Sequence, residues 1–212
     1  MSEASSESAN QVNFERGWLG PQFWLIWLGF ALVWILPCLP FSICHALARG
    51  LARIAYGWNS KRRNVVLVNL KLAFPHLATP ELEQLARRHF FAMARSFLDM
   101  GLLWFAGDAR LLRAVAVDGE EHFEAARQQG KPVVFHVAHA AGLEFGAIAV
   151  SQLAPASGMY QPMKNPLVNW IVFQSRQRFG NRVTMRDVGF RALVKAVRTQ
   201  RPLYMLTDED FG

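Results

Sequence analysis

The chain reads as an α/β protein with a largely parallel sheet, and three observations point there. From Leu112 onward, short apolar strand-like runs alternate with helix-like runs, the pattern of strands joined by helical crossovers. His139 and Asp208 follow the strand-like runs "VVFHVA" and "LYMLT", at the carboxyl ends of strands where parallel sheets bind ligands, although by itself Asp208 reads as a charged turn after a strand. Before all this, residues 17–48 carry no Asp, Glu, Lys or Arg, so the sheet is preceded by a segment of different character.

The segments divide as a tail (1–16), an apolar anchor (17–40), a membrane-proximal helical region (41–110) and an α/β domain (111–212). The tail is Ser, Glu, Asn and Gln with little to bury, and it is expected to be disordered. Trp18–Leu39 reads "WLGPQFWLIWLGFALVWILPCL", 22 residues and about 33 Å as a helix, enough to cross a bilayer. Trp18, Trp24, Trp27 and Trp34 suit the two interfaces or the spanning face. A buried soluble helix does not suit a stretch this long without a polar face. A cleaved signal is a poorer fit too, because Glu3, Glu7 and Glu15 stand where a signal peptide is basic. Arg49, Arg53, Lys61, Arg62 and Arg63 follow the anchor, and the positive-inside rule puts the remainder in the cytoplasm.

Cys38 and Cys44 match no zinc spacing and read as small packing residues. The net charge of +7 favours an anionic partner, while no nucleic-acid motif is present. "LPFSICHALARGLARIAYG" reads as an amphipathic helix at a membrane surface, and "KRRNVVLVNLKLAF" as a basic helix ended by Pro75. "HLATPELEQLARRHFFAMARSFLDMGLLWF" has the clearest helix signals: Thr79 as cap, Pro80 in the first turn, Glu81 and Glu83 at the positive end of the dipole. Beyond Leu112, strands are expected at "RAVAVDG", "KPVVFHVA", "ASGMYQP" and "RPLYMLTD". Helices are expected at "EEHFEAARQQG", "AGLEFGAIAVSQL", "NPLVNWIVFQSRQRFG" and "VGFRALVKAVRTQ".

Within "KPVVFHVAHAAGLEFG", His139 emerges from a strand end and Glu144 lies five residues on, in the first turn of the next helix. From there the carboxylate is expected to reach one imidazole nitrogen, fix the tautomer and leave the other nitrogen to take a proton from a hydroxyl. No Ser or Cys nucleophile adjoins the pair, so the acceptor's own hydroxyl is the expected nucleophile. The spacing recurs at His76 and Glu81, but there it lies in a proline-broken turn entering a helix. The alternative for His139 is a satisfied core histidine. His136 places a second imidazole near the site.

Several blocks in order resemble the late acyltransferases of lipid A biosynthesis, the lauroyl and myristoyl transferases. These sit within the wider lysophospholipid and glycerol-phosphate acyltransferase group. The blocks are "KRRNVVLVNLKLAFPHL", "HFFAMARSFLDMGLLWF", "HVAHAAGLEFG", "YQPMKNPLVNWIVFQSRQRFG" and "LYMLTDEDFG". The resemblance implies a glycerol-phosphate acyltransferase-like mixed sheet flanked by helices, behind one N-terminal transmembrane helix. It also implies that the C-terminal part of the family fold is missing, with an exposed final strand as a consequence.

The same resemblance assigns His139 and Glu144 as catalytic. It assigns Arg176, Arg178, Asp208 and Asp210 to substrate binding, with Arg176 a candidate oxyanion donor. It implies acyl transfer from acyl carrier protein to a hydroxyl of a Kdo-bearing lipid A precursor, at the bacterial inner membrane, with the catalytic part cytoplasmic. No metal and no cofactor are expected. Acyl carrier protein, the lipid A precursor and membrane lipids are the expected partners, and nucleic acid is not. From Gln161 to Arg201 there are nine Lys or Arg and one acidic residue, Asp187, which suits a phosphorylated lipid and an acidic carrier. The alternatives are an acyltransferase acting on another glycolipid or phospholipid, and an inactive membrane-bound fragment.

Overall fold

The first departure from the sequence-based expectation comes at the anchor. Arg16–Leu19 forms a short 3-10 turn, and Gly20 is extended at φ −66°, ψ 160° ahead of Pro21. Proline disfavours the helical region for the residue before it, so the helix starts late. Helical structure then runs from Pro21 to Cys38, with α1 (Trp24–Ile35) at its centre. That span has 18 residues, a mean hydropathy of 1.6 and 11% of its residues buried. Its length, about 27 Å, and its composition are enough to cross a bilayer core.

The computed structural model describes residues 12–186 and 190–208, which fall into two units. One is Ala31–Phe105; the other combines residues 12–30 with 106–208. In the first, α2 (Phe41–Trp58), α3 (Ser60–Ala73) and α4 (Thr79–Phe105) follow one another. Cys44, Ala48, Ala52 and Tyr56 recur every fourth residue on α2 and are buried, as are Leu82 and Ala86 on α4. Tyr56 meets Phe90 edge-to-face at 5.4 Å, with the Arg87 guanidinium 4.3 Å from its ring centre. Asn59 caps α3 by accepting from the Arg62 N–H at 3.0 Å. Thr79 is the first residue of α4 rather than its cap. Glu81 reaches back to accept from the Ala78 N–H at 2.8 Å, which satisfies the backbone donor of the residue just before the helix.

In the second unit, α5 (Asp108–Arg113) and α6 (Glu120–Gln128) precede the sheet. The strand expected at "RAVAVDG" does not form. Arg113 closes α5 and residues 115–118 carry no regular structure. Gly119 and Gly130 flank α6 at φ 82° and 66°, the left-handed region that glycine enters without a steric penalty. The strands are β1 (Val134–Val137), β2 (Ser157–Tyr160), β3 (Arg182–Met185) and β4 (Leu203–Leu206). Three helices join them: α7 (Leu143–Leu153), α8 (Pro166–Arg176) and α9 (Arg191–Arg198). β3 was not foreseen, because "RVTM" is four residues long and opens on a charge.

The sheet order is β1-β4-β2-β3. Every pairing among the described strands is parallel, which corrects the expected mixed sheet. The last of the described strands is not at an edge of this sheet either. β4 pairs with β1 along Leu203–Leu206 and with β2 at Leu203 and Tyr204. Leu193, Ala196 and Leu203 form a core cluster on one part of the sheet, and Tyr160, Phe173 and Val183 another.

Candidate active site

A parallel sheet puts all its carboxyl ends on one edge, so residues just past neighbouring strands meet there. β1 and β4 are such neighbours, in register Val137↔Leu206. His139 and Asp208 each stand two residues further on, and they meet. Asp208 Oδ2 accepts from the His139 backbone N–H at 2.7 Å, and Asp208 Oδ1 lies 2.8 Å from His139 Nδ1. One carboxylate thus holds both the main chain and the ring. With Nδ1–H donating to it, the lone pair of the neutral imidazole lies on Nε2. The His139 backbone N–H, and then its ring, hold the Asp208 carboxyl below its ordinary pKa. The side chains are 40% and 34% exposed, so the pair is open to an incoming molecule.

Glu144 behaves differently from the expectation. Its carboxylate goes to Arg176, whose Nε lies 3.2 Å from Oε1 and 3.1 Å from Oε2 and whose terminal nitrogen also contacts Oε1. The expected Glu144–His139 contact is therefore replaced by two separate pairings, His139 with Asp208 and Glu144 with Arg176. The reason is geometric. Parallel register carries Asp208 alongside His139, whereas the first turn of α7 turns Glu144 toward the C-terminal end of α8. Both partners in the second pairing are mostly buried, at 16% and 21% exposure. The Arg176 guanidinium also lies 5.7 Å from the ring centre of Tyr160, the last residue of β2.

Tyr204 ties the two pairings into one frame. From β4 its hydroxyl donates to the Leu143 carbonyl at 2.7 Å, fixing the start of α7. Burial first, and then the charge of Glu144, push its pKa up to about 12. Gly146 makes room for it: a Cβ there would stand 2.7 Å from the Tyr204 hydroxyl. Sequence reasoning missed Tyr204 and Gly146. The alternation in "LYMLT" marks Tyr204 as a side chain on one face of a strand, but nothing local says what it meets.

Arg178 donates to the Ala106 carbonyl at 2.9 Å, contacts the Asp108 carboxylate and lies 5.4 Å from the Phe179 ring centre. His136 is exposed on the edge strand β1. Asp210 lies outside the described residues.

Comparison with known proteins agrees with the order of blocks read from the sequence. Residues 11–212 match the model of the bacterial lipid A biosynthesis acyltransferases. A lipid A biosynthesis lauroyltransferase of Escherichia coli (strain K12) is 28% identical, over 96% of this chain and 66% of that protein. A lipid A biosynthesis acyltransferase of Haemophilus influenzae is 32% identical, over 95% of this chain and 64% of its own length. A lipid A biosynthesis myristoyltransferase of E. coli is 26% identical, over 100% and 66% respectively. The chain spans about two thirds of the length of these relatives. With a match that covers nearly every residue, the chain belongs to the bacterial lipid A biosynthesis acyltransferase family.

Proposed function

We propose that the chain transfers a fatty acyl group from acyl carrier protein to a hydroxyl of a Kdo-bearing lipid A precursor, using the α/β region 111–212 as its catalytic part. The single observation that carries this reading is the grip of Asp208 on His139 at the carboxyl edge of the sheet. His139 Nε2 takes the proton of the acceptor hydroxyl. The oxygen attacks the thioester carbonyl, and a C–O bond forms. The tetrahedral oxyanion then collapses, the C–S bond breaks, and the proton passes from the imidazolium to the departing thiolate. Asp208 keeps the ring in the tautomer that this requires and stabilises the imidazolium.

Glu144 serves the same edge by holding Arg176 in place, and Arg176 supplies positive charge for an oxyanion or a lipid phosphate. Arg178 and Asp210 complete the proposed substrate contacts. The reaction needs neither metal nor cofactor. The proposed setting is a bacterial inner membrane, crossed once by Pro21–Cys38, with the catalytic part on the cytoplasmic side that the basic flank favours. The glycerol-phosphate acyltransferase-like identity of the fold belongs to the same proposal.

The test is acyl transfer in membranes that contain this chain, with labelled acyl carrier protein and the tetra-acylated, Kdo-bearing precursor. His139→Ala is run in parallel. Product that disappears with the variant supports the reading, and equal product from both overturns the role of His139.

A further inference from the structure

Helix α2 presents two faces that the acyl-transfer reading does not use. Its buried residues, Cys44, Ala48, Ala52 and Tyr56, form one stripe. Ile43, Leu47, Leu51, Ile54 and Trp58 form a second, 45%, 44%, 45%, 60% and 86% exposed. At 100° per residue, these five fall within an arc of about 80° on the helix surface. Arg49 and Arg53 are exposed on the opposite flank of the same helix. Between them Ala46 and Gly50 keep the surface low, and a Cβ on Gly50 would meet nothing within 4 Å.

Three observations bear on what covers the apolar stripe. First, α2 begins at Phe41, three residues after the apolar span ends at Cys38. Second, the charge is one-sided over a long stretch. From Arg16 to Pro80 there is no Asp or Glu, while Arg49, Arg53, Lys61, Arg62, Arg63 and Lys71 all fall within it. Third, the stripe ends in Trp58, an amphipathic ring suited to the headgroup level of a bilayer. A protein partner would account for the apolar stripe alone. An anionic bilayer accounts for the stripe, the cation excess and the continuity with the span together.

We propose that α2 lies in the plane of an anionic phospholipid surface, with Ile43, Leu47, Leu51 and Ile54 inserted among the acyl chains and Arg49 and Arg53 at the phosphates. The chain then holds its membrane through a second, in-plane element besides the span. This surface is independent of the reaction assigned to His139.

Single-cysteine spin labels in the full chain test it. The background is Cys38→Ser with Cys44→Ala, reconstituted in phosphatidylglycerol/phosphatidylcholine vesicles after circular dichroism has shown native helix content. Labels at Leu47, Leu51 and Ile54 are expected to collide with oxygen several-fold more than with a water-soluble nickel chelate. Labels at Arg49 and Arg53 are expected to show the reverse, and a label at Leu28, inside the span, gives the lipid reference. A stripe as open to the nickel chelate as Arg49 overturns the proposal. A stripe shielded from both reagents also overturns it, and assigns the face to a second copy or another protein. The charge half of the proposal is read with Arg49→Gln/Arg53→Gln and with vesicles of phosphatidylcholine alone. Shallower labels in either case support it, and unchanged depth overturns it.

Discussion

The helical unit Ala31–Phe105 and the α/β unit solve the same problem by different means. In the helical unit, the division into buried and exposed faces repeats every three to four residues, even where the partner is distant: Ala48 and Ala52 are buried, and Leu47 and Leu51 exposed, on a single helix. In the α/β unit the decisive contacts are distant. His139 and Asp208 are 69 residues apart, Glu144 and Arg176 are 32, and Tyr204 reaches back 61 to Leu143. The first unit owes its shape to periodicity. The second owes its site to strand register, which no short window of sequence contains.

The sharpest way to break this comparison is at the strand ends. His139→Ala is expected to lower acyl transfer on the order of 10²-fold or more, with far-ultraviolet circular dichroism unchanged. Asp208→Asn is expected to approach the same loss, because the amide no longer holds the ring as a carboxylate does. Glu144→Gln separates the two pairings. It leaves the His139–Asp208 contact in place but leaves a mostly buried Arg176 short of its counter-charge, at a cost of about 2–3 kcal/mol in a urea melt. Equal loss of turnover and unchanged stability in this variant would return Glu144 to the place beside His139 that its spacing suggested.

Acid sharpens the same distinction. The pKa of Asp208 is lowered in the folded chain, so its contribution is complete above the ordinary carboxylate value. That contribution is lost as pH falls through the lowered value. Titration of the Asp208 carboxyl followed by carbon NMR should give a midpoint below 3.8, and His139→Ala should move it back up toward 3.8.

Glycines probe packing in each unit. In the helical unit, a Cβ at Gly101 would stand 2.6 Å from the Val33 carbonyl oxygen and 3.0 Å from Leu36 Cβ. Backbone cannot yield as a side chain does, so Gly101→Ala is expected to cost about 1–3 kcal/mol by denaturant melt. Gly50→Ala, on open surface in the same unit, should instead gain about 0.5–1 kcal/mol. An effect of similar size and opposite sign belongs to Gly146→Ala in the α/β unit. It displaces the Tyr204 hydroxyl from Leu143, losing about 1 kcal/mol, and the loss should be smaller in a Tyr204→Phe background. Strict additivity of those two changes would show that Gly146 does not meet Tyr204.

The sequence alone determined the alternation of strands and helices, the apolar span, the helices of the 31–105 unit, the family, and His139 with Asp208 as residues of interest. These follow from local causes: side-chain period, proline and glycine punctuation, and blocks in a fixed order. Even there, neighbours decided details. Pro21 shortened the apolar helix, and Glu81 capped α4 in place of Thr79. The strand expected at "RAVAVDG" did not form, and "RVTM" became a strand beside β2.

Only the tertiary structure decided who holds whom at the site. Five residues separate His139 from Glu144 in the chain, yet the helical turn carries Glu144 to Arg176. The parallel register of β1 and β4 brings Asp208 to His139 across 69 residues. Insertion of β4 between β1 and β2 is what places the two groups side by side. That order is set by backbone pairing and packing across the whole sheet, a long-range balance that the residues around His139 do not encode.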